Sequence, residues 1–309
     1  MDTKGYIKSM LIAIDGSEHS FAAVKLVSDL PEQSLPRGES CLVTALGVLL
    51  LRNASDHYIY MAPLKQAQKI LEAKSYQVVI DQILGYPAEV ITNYADSHSV
   101  DLIVLGAKGL RATLGILLGG VAQQVVEYAS CPVLVVRSPY HGIKRVLLAV
   151  DGSEFSQFAA HYLANFPFPH ETQIDIAHVL PPTPILKPDY LIRTWQLPEE
   201  IVQEYSTMKE EELQKIYQEE EEKGERYLRQ TEKLLNSTGR QTTSVLLRGD
   251  AATEIIEYAN KNSIDMIIAG SRGLSEMEGW LLGSVSRKLV HYAPCSVMLV
   301  KRAPKQLAK

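Results

Sequence analysis

The run Gly270–Val300, GSRGLSEMEGWLLGSVSRKLVHYAPCSVMLV, matches Gly106–Val136, GAKGLRATLGILLGGVAQQVVEYASCPVLVV, position for position and without a gap. A second pair lies upstream: VLLAVDGSEFSQFAA, around Asp151, repeats MLIAIDGSEHSFAAV, around Asp15. Self-similarity on this scale makes the chain two homologous halves before any residue is given a role. Asp15 and Asp151 are 136 residues apart and Gly106 and Gly270 are 164 apart, so the second half carries 28 extra residues between its motifs. The short, turn-rich Ser138–Lys144, SPYHGIK, separates the apolar runs VLVV and VLLAV and is the natural boundary. Placed near Gly142, it divides the chain into units 1–142 and 143–309, the second with an insertion at about 181–215, after its second strand.

Within each half, apolar runs alternate with segments of helical period, the pattern of crossover units around a parallel sheet. In the second half the strands read as Arg145–Val150, Gln173–Val179, Gln241–Leu247, Met266–Gly270 and Ser296–Lys301, and the first half shows the same five. The expected class is α/β: two tandem, open, doubly wound, five-stranded parallel-sheet domains. Such sheets bind ligands beyond the carboxyl ends of their strands, where the strand order reverses. Both glycine motifs begin at a strand's carboxyl end.

Composition narrows the function. The chain has 309 residues, 46% hydrophobic and 22% charged, enough for about two domain cores. A formal net charge of -5 gives no basic surplus for a phosphate backbone or an acidic membrane surface, so no nucleic-acid partner is expected. Apolar runs are too short for a membrane span or a signal peptide, which predicts a cytoplasmic protein without a membrane partner. Cys41, Cys131 and Cys295 are odd in number and lack CxxC or Cys/His spacing, so they read as buried thiols in a reducing compartment. The eight histidines form no ligand pair, and no metal site is predicted.

A phosphate asks for several N–H donors aimed at one point and a backbone that can approach closely, and glycine permits both. A helix N-terminus adds unpaired N–H groups and the positive end of a dipole. Gly270 and Gly273 would shape the exit from a strand, and Gly283-Ser284 would open a helix that Ser284 is suited to cap. The Ser284 and Ser286 hydroxyls are placed to donate to phosphate oxygens. The plainer alternative is a tight strand-to-helix turn, and Asp15 and Asp151 have one of their own: Asp-Gly-Ser-Glu can simply cap the next helix. No Gly-Lys dipeptide occurs, which excludes a Walker A loop, and no GxGxxG is present.

The spacing G-x2-G-x9-G-[S/T], met in full by Gly270, Gly273, Gly283 and Ser284, resembles the ATP-binding signature of the universal stress protein family. LLAVDGSE at Asp151, the strand-ending His178-Val179 and APCSVMLV at Cys295 are similar to the same family, and the likeness spans both halves. It implies an adenine nucleotide alpha hydrolase-like fold with strand order 3-2-1-4-5. It also implies adenine beside Asp151 and Val179, and phosphates over Gly270, Arg272, Gly273, Gly283, Ser284, Val285 and Ser286. In the first half the matching positions are Asp15, Val48, Gly106, Gly109, Gly119 and Gly120. There Gly120 stands where the pattern has Ser or Thr, and Ala122 replaces the second serine. The first half therefore keeps a backbone cradle but lacks two hydroxyl donors.

The implied cofactor is ATP, with any Mg²⁺ arriving on the nucleotide. No nucleophile-and-base pair is evident and no catalytic residue is assigned, so the nucleotide reads as a regulatory ligand in stress response. A slow ATPase or related adenine-nucleotide hydrolase is one alternative, and a nucleotide-free scaffold is another. A repeat this complete implies an intramolecular pseudo-dimer in which Val133–Arg137 and Ser296–Lys301 meet antiparallel, with a homodimer of whole chains as a further alternative. In the insertion, the acidic run Lys209–Arg226 reads as a solvated helix face, while the proline-rich part invites comparison with a lid carrying Trp195.

Overall fold

The computed structural model describes residues 7–31, 41–49, 61–110, 117–182, 198, 210–273 and 282–301. Trp195 and most of the proline-rich part of the insertion lie outside them. The first half runs β1 (Ser9–Ala13), α1 (Glu18–Ser28), β2 (Leu42–Leu49), α2 (Met61–Glu72), β3 (Gln77–Leu84), α3 (Pro87–Ser97), β4 (Leu102–Gly106), α4 (Gly120–Tyr128), β5 (Val133–Val136). The second repeats it as β6 (Arg145–Ala149), α5 (Glu154–Asn165), β7 (Gln173–Leu180), α6 (Glu210–Asn236), β8 (Thr242–Arg248), α7 (Ala251–Lys261), β9 (Met266–Gly270), α8 (Ser284–Tyr292), β10 (Ser296–Val300). Strand ends differ from the sequence reading by a residue or so, where hydrogen bonding rather than hydropathy decides the last position.

Each half is a parallel sheet of order 3-2-1-4-5, and the two join into one sheet of 10 strands, β3-β2-β1-β4-β5-β10-β9-β6-β7-β8. The junction is the one antiparallel pairing among the described strands, with Met298 opposite Leu134. It gives both last strands a partner, so neither is left as an open edge.

The strands are apolar on both faces, as sheets covered by helices on both sides must be. Met10, Ile12, Leu134, Val146, Ile268 and Met298 pack under α1, α2, α5 and α6. Their neighbours Leu11, Val133, Leu147, Ile267 and Val297 pack under α3, α4, α7 and α8. Both cores run unbroken through the two halves, and each fully buried Leu, Ile or Met contributes about 1.5–3 kcal/mol.

A reciprocal clasp reinforces the junction. Arg137, just past β5, donates to the carbonyls of Val290 (2.8 Å) and His291 (3.2 Å) at the end of α8. Lys301, just past β10, donates to Glu127 O (3.0 Å) and Ala129 O at the end of α4 (2.6 Å). Each half thus places a cation on the negative end of the other's last helix. Burial lowers the Lys301 pKa to about 8.

The acidic run becomes the front of α6, a helix of 27 residues. Most of its Glu side chains are exposed, as expected, but Arg248 draws two of them in: Glu221 at 2.9 Å and Glu220 at 3.5 Å. Cys295 is buried and Cys41 and Cys131 are half-buried, all three as free thiols. Burial pushes each thiol up to about 12, which keeps them protonated and unreactive.

Candidate functional site

At the carboxyl ends of β6, β7 and β9 lies a cavity of about 330 Å³. It brings together all of the second-half residues singled out in the sequence: Asp151, Val179, Gly270, Arg272, Gly273, Gly283, Ser284, Val285 and Ser286. Ala149, Ala177, Ala251, Ile255 and Ala269 complete a largely apolar slot that sequence reasoning missed. They are ordinary strand-end and helix-start residues, and only the sheet topology brings them to one place.

Packing accounts for the glycines. A Cβ on Gly270 would stand 2.7 Å from the carbonyl carbon of Phe155, so this glycine lets α5 lie close on β9. A Cβ on Gly273 would stand 2.6 Å from Asp151 Oδ2, so this one makes room for the carboxylate. Gly283 donates its N–H to Ser271 O at 2.9 Å, which closes the stem of the loop. The first half repeats these contacts. Gly106 would meet His19 at 2.6 Å, Gly109 would meet Asp15 Oδ2 at 2.5 Å, and Gly119 donates to Ala107 O at 2.7 Å.

Two details correct the sequence reading of the serines. Gly283, not Ser284, is the N-cap of α8, and Ser284 is its first helical residue. An extended backbone at position 283 lets a glycine end the turn, so the Ser284 hydroxyl takes no part in capping and makes no hydrogen bond among the described residues. Ser286 is buried, and its hydroxyl donates to Gly270 O at 2.8 Å, so its proton ties α8 to β9 rather than pointing at a ligand. Arg287 N–H makes the first intrahelical bond, to Gly283 O at 3.0 Å. The N–H groups of Ser284, Val285 and Ser286 therefore have no acceptor within the helix and form an anion-binding end.

The aspartates do not cap the helices that follow them. Ser17 and Ser153 do, each accepting the N–H three residues on, from Ser20 (3.1 Å) and Ser156 (3.2 Å). Asp15 and Asp151 accept instead from the Ser17 and Ser153 N–H groups, at 3.0 and 2.9 Å, in turns held open by Gly16 and Gly152 at φ +83 and +81. Asp15 Oδ2 also accepts from Leu110 N–H at 3.0 Å. In the second half the carboxylate stands between the apolar slot and the anion-binding end.

His178 lies in β7 beside the cavity, its Nδ1 donating to Val150 O at 2.8 Å. Val48 is half-buried and next to last in β2, as Val179 is next to last in β7, and Gly120 opens α4 with no atom of the described residues within 4 Å of where its Cβ would be.

The sequence profile of the universal stress protein family matches residues 7–137 and 142–301. The chain belongs to this family. Universal stress protein MJ0531 of Methanocaldococcus jannaschii is 25% identical over 172 residues, covering 56% of this chain and 90% of that protein. A universal stress protein of Mycolicibacterium smegmatis is 23% identical over 313 residues, covering 94% of this chain and 96% of its own, so it shares the two-unit layout. The crystal structure of a universal stress protein from Archaeoglobus fulgidus superposes with a TM-score of 0.58 at 20% identity, over 96% of this chain and 97% of that one. The fold is the adenine nucleotide alpha hydrolase-like fold of the family.

No helix among the described residues is long and apolar enough to cross a membrane. Nor do the described residues hold a cluster of three or more His, Cys, Asp or Glu fit for a metal. Among the described residues Asp151 is the one carboxylate lining the cavity, so a Mg²⁺ there would take its ligands mainly from phosphate and water.

Proposed function

We propose that this universal stress protein binds ATP, or a related adenine nucleotide, in the second-half cavity as a regulatory ligand of a cytoplasmic stress response. The carrying observation is the division of that one cavity. Val179, Ala177, Ala251 and Ile255 offer a slot for a flat heteroaromatic ring. The α8 N-terminus, Ser284 and Arg272 offer donors and positive charge for phosphates. Asp151, between them, suits an adenine amino group or a ribose hydroxyl. The two units divide near Gly142, and the first-half counterpart binds more weakly or not at all.

Calorimetric titration of the full chain with ATP, with mass spectrometry of any copurifying molecule, tests this. One strong site per chain is expected, and absence of binding by any adenine nucleotide defeats the reading. Because no described side chain at the cavity is set up as a general base, phosphate release should stay well below the ~1 s⁻¹ at the slow end of ordinary enzymes. Several turnovers per second, abolished by Asp151→Asn, would move the protein to the hydrolases.

A further inference from the structure

We propose that α6, the long helix that follows the second-half insertion, is the readout of the nucleotide site: ligand in the cavity orders α6, and α6 in turn sets the affinity. This rests on the nucleotide reading above. The helix touches residues next to the cavity lining at two places. At the first, Tyr227 lies flat on Gly152, where a Cβ would come within 2.1 Å of the ring. That contact is one residue from Asp151. The same ring packs edge-on against His178 at 5.5 Å, and His178 holds the Val150 carbonyl. One turn earlier Gly224 lets the helix settle, because a Cβ there would stand 2.7 Å from His178 Cδ2. Val150 and Asp151 both line the cavity.

At the second is Arg248, the last residue of β8. It pairs with Glu221 and Glu220, stacks its guanidinium over Tyr217 at 5.4 Å and donates to Pro181 O at 3.2 Å. Two residues on, Asp250 caps α7, whose first residue, Ala251, lines the cavity. The Tyr227 and Arg248 contacts thus seat α6 beside two stretches of chain that run into the site, at Asp151 and at Ala251.

Among the contacts between described residues, the front of α6 has little else to hold it. Gln214, Lys215, Gln218, Glu219, Glu221 and Glu222 are exposed. Exposed ion pairs contribute only ~0–1 kcal/mol each. A helix end held so lightly frays easily, and a ligand that fixes Asp151 and the start of α7 steadies the neighbouring seats of α6. Linkage makes the effect reciprocal: whatever steadies α6 raises nucleotide affinity by the same factor. The first half has no such arm. Its α2 has 12 residues, a Cβ on Gly16 would stand 3.1 Å from Pro63, and β3 has Leu84 where β8 carries Arg248.

Hydrogen exchange of the full chain, with and without saturating ATP, tests the proposal alongside calorimetry. Peptides over Gln214–Glu222 should exchange about ten-fold more slowly with ATP, within the usual span of coupling between sites, while α2 is unchanged. Tyr227→Ala should weaken ATP binding by about ten-fold and Tyr227→Phe should restore it, because the ring makes the contact. Arg248→Gln should abolish the protection over Gln214–Glu222 while α8 and β9 keep theirs, and this variant decides the matter if Tyr227→Ala does not fold. ATP binding with no change in α6 exchange overturns the coupling alone, as does protection that survives Arg248→Gln. No adenine-nucleotide binding at all overturns both the coupling and the reading beneath it.

Discussion

The glycine loop of the first half and that of the second share three glycines with matching surroundings and part company at the next residue. Gly106 and Gly270 admit a helix, Gly109 and Gly273 admit a carboxylate, and Gly119 and Gly283 close the stem. Then comes Gly120 in one and Ser284 in the other. The glycines answer to packing that both halves need in order to fold, so their presence does not report a ligand. The residues free of that packing carry the information, and there the halves diverge. The second half follows its loop with Arg287 and Lys288, the first with Gln123 and Gln124. At the rim, Asp250 caps α7 and meets Lys288 at 3.4 Å. The equivalent Tyr86 caps nothing, and it and Leu84 stand 74% and 54% exposed. Arg287 and Lys288 thus add positive charge after the loop of the second half, and their counterparts in the first add none.

The largest expected effect comes from Gly273→Ala. Its methyl would displace the Asp151 carboxylate and with it the loop geometry. With hydrogen bonds to charged groups contributing ~1.5–3 kcal/mol each, losing two should lower ATP affinity at least about a hundred-fold. Gly109→Ala meets the same clash at Asp15 and should alter only the weak site. Calorimetry on both variants checks this, and equal losses would mean that the halves share the ligand equally.

Exchanging the divergent residue is the next test. Ser284→Gly removes one donor to phosphate and should weaken the strong site by roughly ten-fold to a hundred-fold, with the fold intact. Gly120→Ser has open space for the new side chain, so it should strengthen the first-half site without strain. Ala122→Ser should add stability rather than affinity, since the Ser286 hydroxyl it would copy bonds to a backbone carbonyl. Titration and thermal unfolding of the three variants separate these outcomes. If Ser284→Gly binds as tightly as the parent chain, the hydroxyl does not distinguish the halves.

Much of this was legible in the sequence because repetition and hydropathy are local signals. The two halves and the position of the cavity follow from runs of neighbouring residues, the antiparallel meeting of Val133–Val136 with Ser296–Val300 follows from the completeness of the repeat, and the strand order came only with the family resemblance. What was not legible depends on where a side chain ends. Ser284 and Ser286 look alike in GSVS, yet one opens on the cavity and the other turns back to Gly270. Arg137 and Lys301 look like ordinary charges after a strand, and their role exists only once the halves have met. Tyr227 lies 76 residues from Asp151 and carries no motif, so only the packing of α6 brings it to the site.

The smallest effect expected concerns acid. His19 occupies the repeat position of Phe155, so one half has a titratable ring where the other has none. Its Nδ1 accepts the N–H of Ser138 at 2.9 Å, joining α1 to the start of the segment between the halves. A proton on Nδ1 would break that bond. Burial holds the His19 pKa below its ordinary value, and Lys108 and Arg137 push it the same way, against the weaker pull of the Val136 carbonyl and Glu18. The unfolded chain therefore binds this proton more readily than the folded one, and His19 costs stability as pH falls through about 6.5 toward the lowered value. His19→Phe, which gives the first half the residue of the second, should flatten that part of the stability profile. Denaturant unfolding of both chains from pH 5 to 8, with hydrogen exchange over α1 to locate the change, measures it. The comparison is the difference between the two chains, and parallel profiles would show that the His19–Ser138 bond carries no acid sensitivity.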